Sequence, residues 1–114
     1  MNDLIDADDA RRRVTELATQ AEAIVEAAEL TATDGRWAMT AFSRYRVCEL
    51  LQIVPYLRYD GDLSADPAAL YDEAAEALSD LDVPIEDVSW RLALGDALRS
   101  AAADVRSVQD ARDI

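Results

Sequence analysis

The chain of 114 residues contains no histidine and no lysine, one cysteine, three glycines and three prolines. Each scarcity closes a door. Without histidine there is no Ser-His-Asp triad, no Cys-His pair and no imidazole base. Nor can the Glu-x-x-His ligand pairs of a di-iron helical bundle be written. Without lysine there is no Schiff-base chemistry. One cysteine forms neither an internal disulfide nor a zinc cluster. Three isolated glycines supply neither GxxxxGK[ST] nor GxGxxG. No cofactor or metal is expected, and a non-enzymatic protein is the reading these absences favour.

What is present is acid and alanine. Twenty-four Asp and Glu stand against eleven arginines, for a net charge of −13 and a pI near 4.1, yet 51% of residues are hydrophobic. A disordered acidic tail lacks that apolar content. The composition describes a folded domain with an acidic, well-hydrated surface suited to concentrated salt, where self-repulsion is screened over about 3 Å at 1 M. Low-specificity nucleic-acid binding needs the opposite charge. The first thirteen residues run acidic and then basic, without the apolar core of a secretory signal. The most apolar stretch, Leu50 to Leu57, is far below the ~20 residues that span a bilayer. A cytoplasmic, non-membrane location is expected, and the lone Cys48 suits a reducing compartment.

Periodicity divides the chain into four helices over about 6–30, 36–58, 67–79 and 85–111, in a single domain covering residues 1–114. In the first, Val14, Leu17, Ala18, Ala21, Ile24, Val25 and Ala28 form an apolar stripe, and Glu22, Glu26 and Glu29 line another face. Asp8 with Arg12 and Asp9 with Arg13 are acid-first i,i+4 pairs, so Arg11–Arg13 reads as a salt-bridged face. Thr33 or Asp34 is available to cap the second helix. Wound at 100° per residue, that helix is apolar on every side, the pattern of a buried one. Pro55 predicts a kink or an end just before it, and a strand over 50–59 is the second choice there. Ser64 or Asp66 caps the third helix, with Pro67 at its first position. In the fourth, Leu94, Leu98, Ala101, Val105 and Val108 make a heptad-like seam. Short breaks place successive helices side by side. An all-α antiparallel bundle of about four helices with a largely buried second helix follows.

Two constellations could carry function. Asp60, Asp62, Ser64 and Asp66 alternate like the start of an EF-hand loop, but Ala65 stands where the turn needs glycine and Tyr71 where the last ligand should be Glu. A solvated turn ending in an N-cap accounts for it. The second constellation is stronger. Arg36, Arg44, Arg46 and Arg58 meet one acid, Glu49, in a segment holding five of the seven aromatics: Trp37, Phe42, Tyr45, Tyr56 and Tyr59. Arginine and aromatics dominate protein interfaces. They also bind single-stranded nucleic acid, or pair inward with acids of other helices. On a helix Arg44 and Arg46 point about 160° apart and cannot serve one partner. Arg36, Trp37, Tyr45, Arg44 and Arg58 are the candidate interaction surface. The function expected is protein–protein association, with itself or a partner, with helix four's seam as a second contact surface. The alternative is a helix-turn-helix or winged-helix regulator using 36–46 on DNA. Trp90 is expected in the core, and Cys48 as an inert buried thiol.

Overall fold

The computed structural model describes residues 3–55 and 59–111. It is a helical bundle: α1 spans Asp3–Thr31, α2 Ala41–Leu51, α3 Pro67–Ser79 and α4 Val88–Ala111. One-turn 3₁₀ segments lead into α2 (Arg36–Thr40) and α4 (Ile85–Asp87). Among the described residues there is no strand, and no helix is long and apolar enough to cross a membrane.

Neighbours in sequence are not always neighbours in space. α1 lies on α3, α3 on α4, and α4 on α2, while α1 and α2 meet only sparingly. The expectation that successive helices pack side by side therefore fails at the first two connections, α1 to α2 and α2 to α3, and holds at the third. The reason is length: α1 has 29 residues and α2 only 11. The stripe of α1 needs a partner along its whole run, which α2 is too short to supply. At 1.5 Å per residue α1 is about 44 Å long, and it sets the 50 Å long axis of the molecule.

The core forms where these faces meet. Val14, Leu17, Ala18, Ala21 and Val25 of α1 are buried against Ala68, Tyr71, Ala74 and Leu78 of α3 and Leu94, Leu98, Ala101, Val105 and Val108 of α4. Alanine at so many facing positions lets the helix axes approach closely. The seam of α4 is thus interior to the bundle, and offers nothing to a second molecule. Ile24, Ala28 and Ala77 lie at the margin of the core.

A local signal decides the start of α3. Asp66 caps α3: its carboxylate accepts the Ala68 N–H at 3.2 Å, with Pro67 at the first position. That leaves one fewer orphan donor and loses no hydrogen bond to the proline. α2 ends sooner than its apolar run suggests. It stops at Leu51, four residues before Pro55, because Gln52 turns left-handed (φ 58°, ψ 40°). The Ile53 N–H then bonds back to Cys48 O at 2.9 Å and the Gln52 N–H to Glu49 O at 3.3 Å, a Schellman closure. A helix to residue 58 is therefore replaced by α2 and an irregular connection. The strand alternative fails over 50–55, and residues 56–58 lie outside the described part.

α2 is also not apolar-buried all round. Over the 3₁₀ segment and α2 together, Trp37, Thr40, Ser43, Arg44, Val47 and Cys48 face inward, while Met39, Phe42 and Arg46 face solvent. The predicted ion pairs of α1 shift as well. Arg12 meets Asp9 at 3.7 Å, Arg13 reaches Glu73 of α3 at 2.6 Å, and the Arg11 guanidinium lies 4.4 Å above the Trp90 ring. The Trp90 indole N–H donates to Leu50 O at 2.9 Å. Three helices converge on that one side chain.

Candidate functional site

The candidate surface divides into an inner and an outer half. The inner half is Arg44, with a side chain fully out of solvent. Its Nη1 donates to Glu22 at 2.6 Å, its Nη2 to Glu29 at 2.7 Å and its Nε to the Thr40 hydroxyl at 2.7 Å. Thr40 donates onward to Trp37 O at 2.7 Å, and Tyr71 of α3 donates its hydroxyl to the second Glu22 oxygen at 3.1 Å. One planar fork thus binds two carboxylates and a hydroxyl, a geometry that arginine supports and an ammonium does not. Trp37 is buried beside it.

Two glutamates against one arginine make the cluster electrostatically uneven. Burial raises the Glu22 pKa above its ordinary 4.5, and the Arg44 charge only partly counters that. Burial works against the Arg44 charge too, but Glu22 and Glu29 outweigh it and hold the guanidinium firmly protonated. Burial, with the Glu22 charge behind it, drives the Tyr71 hydroxyl well above its usual value of 10. Cys48, buried on the same side of α2, is pushed up to about 12, chiefly by loss of solvent.

The outer half is Met39 of the 3₁₀ segment with Phe42 and Tyr45 of α2, spaced by three. Met39 is 65% exposed and Phe42, the chain's one phenylalanine, 88%. Tyr45 is exposed at its edge, and its ring lies 5.3 Å from the Arg44 guanidinium carbon. Arg46 pairs with Glu49 at 3.2 Å on the same exposed side. Arg36 grips Asp34 with two parallel bonds of 2.8 and 2.7 Å, and its backbone N–H joins them at 3.2 Å. Those bonds lower the Asp34 pKa to about 2.

The structure therefore separates the residues singled out from the sequence. Arg36 and Tyr45 reach solvent, Trp37 and Arg44 do not, and Arg58 lies outside the described residues. Met39 and Phe42 were hidden by the assumption of a helix buried all round. Glu22 and Tyr71 were missed altogether. Glu22 fell on what looked like a polar face, and its only sequence signal was an unpaired arginine elsewhere.

The side-chain oxygens of Asp62 and Asp66 in the Asp60–Asp66 loop are already engaged. Asp62 accepts the Ser64 N–H and hydroxyl at 2.8 and 2.6 Å, and Asp66 takes the cap and the Gln109 amide at 3.1 Å. Among the described residues no three Cys, Asp or Glu side chains gather as a metal-ligand set. Comparison with known proteins returns no matching family model, no similar curated protein and no similar solved structure.

Proposed function

We propose that the protein acts by association, docking a protein surface, its own copy or a partner, on the outer side of α2. The observation that carries this reading is the exposure of Phe42 and Met39 on a short helix whose opposite side holds a fully paired ionic cluster. A large exposed aromatic beside a methionine has no role in a monomer's own packing, and both are residue types enriched at interfaces. Tyr45 adds amphipathic area at the edge, and Arg36 and Arg46 give a polar rim. The acidic remainder of the surface keeps the molecule soluble in the salt-loaded cytoplasm that its composition suits.

The DNA-binding reading draws less support. Within 36–46 each arginine is already held by a carboxylate, Arg36 by Asp34, Arg44 by Glu22 and Glu29, and Arg46 by Glu49. A phosphate would have to displace them. The wing that the alternative needs has no strand among the described residues.

The test is the mass of the intact complex purified from high-salt lysate, for wild type and for Phe42→Ser with Met39→Ser. Loss of the assembly with an unchanged melting temperature is the expected result. An assembly that survives both substitutions overturns the reading.

A further inference from the structure

Among the described residues most arginines are neutralised. Arg12, Arg13, Arg36, Arg44, Arg46 and Arg106 each meet a carboxylate within 4 Å, and Arg11 stacks on Trp90. Two described arginines stand apart, Arg91 and Arg99, and both line one groove of about 400 Å³ between α3 and α4. In a molecule of net charge −13 that is an unusual place for unpaired cations.

Their geometry suggests a ligand with two ends. Arg91 and Arg99 are eight residues apart on α4, about 12 Å along the axis. Arg99 folds back along its helix, so that its Nη1 lies 3.3 Å from where a Cβ on Gly95 would sit. Between the two arginines the floor is apolar, built from Ala75 and Leu78, with Leu92 61% exposed at the edge. Arg91 is also incompletely bonded. Its Nη1 reaches Ser79 O and Leu81 O only at 3.4 and 3.5 Å, and its Nε is the one buried side-chain nitrogen or oxygen among the described residues without a hydrogen-bond partner. The guanidinium therefore keeps donor capacity for an anionic oxygen through its outer nitrogens, the buried Nε being out of reach of the groove. Asp96 also lines the groove and opposes an anion there.

We propose that this groove binds a small organic dicarboxylate, one carboxylate at Arg91 and the other at Arg99, with its hydrocarbon spacer on Leu78. The site lies on a different face from the exposed side of α2, and stands or falls independently of the association reading.

Adipate and inorganic phosphate, each titrated into ¹⁵N-labelled protein, separate a two-ended ligand from a point anion. The readout is the arginine Nε–H resonances, at the lowest salt at which circular dichroism shows the protein folded. Adipate is expected to shift Arg91 and Arg99 saturably while the other arginines stay put. Arg99→Gln removes one charged partner and should weaken binding about tenfold or more. Asp96→Asn should tighten it. Linear shifts spread over all arginines, phosphate binding as tightly as adipate, or wild-type affinity in Arg99→Gln would each overturn the proposal.

Discussion

Arg44 and Glu22 meet at 2.6 Å between α2 and α1, with side-chain exposures of 0% and 4%. Removing one partner of a buried pair strands the other, which costs about 3–5 kcal/mol, whereas replacing all the charges together costs far less. Arg44→Met should therefore lower stability by about 3–5 kcal/mol, a large share of the 5–15 kcal/mol typical of a domain. Adding Glu22→Gln and Glu29→Gln should return much of it. Urea midpoints of the three proteins check this, and Arg44→Lys should resemble the methionine variant more than wild type, because an ammonium cannot span Thr40, Glu22 and Glu29.

The same cluster sets a pH dependence of unusual sign. Burial raises the Glu22 pKa in the folded state above its value of about 4.5 in the unfolded chain. The folded protein then binds this proton before the unfolded chain does, so the contribution of Glu22 grows as pH falls and is lost as pH rises through the folded value. As pH is lowered from 7 towards 4.5, wild type should gain stability relative to Glu22→Gln. A gap that moves the other way would show that the Arg44 pair outweighs burial.

Gln52 holds the left-handed turn that closes α2. A side chain there costs roughly 1–2 kcal/mol of backbone strain, offset in glycine by about 0.5–1 kcal/mol of lost chain entropy. Gln52→Gly should leave the protein as stable as before or up to about 1 kcal/mol more so, in thermal unfolding. A clear loss would mean that the Gln52 side chain, not the turn, is what matters.

Cys48 should be silent in the native protein. Raising its pKa from 9.0 to about 12 removes thiolate by roughly a thousandfold at pH 8, and the sulfur is also buried. Labelling by a thiol-reactive dye should follow the unfolding rate and become rapid in urea. Fast labelling under native conditions would place the thiol at the surface.

What could be read beforehand follows the range of the interaction. Asp66 and Pro67 announce α3 because cap and helix lie within three residues. The stripe of α1 and the seam of α4 were legible because periodicity records burial. For Arg44, inward pairing with acids of another helix was among the readings the sequence allowed, but not which acids, because Glu22 and Glu29 lie 22 and 15 residues earlier, on what looks like a polar face. Phe42 misled for the complementary reason: hydrophobicity was taken as burial, and a chain cannot say in advance which of its apolar side chains will stay outside. Gln52 carries no glycine signal at all. The early end of α2, and with it the exposed face, was therefore invisible until the backbone was seen.

Arg11 over Trp90, and Trp90 on Leu50, tie the end of α2 to both of its distant neighbours. Elsewhere that helix rests almost wholly on α4 and on the Arg44 cluster. Such an element is the natural unit of partial opening: a short segment that detaches while α1, α3 and α4 stay packed. Its amides should exchange with solvent ahead of those of α3. Each opening would free two glutamates and one arginine together, so a molecule that clamps the outside of α2 would also quiet the charges beneath it.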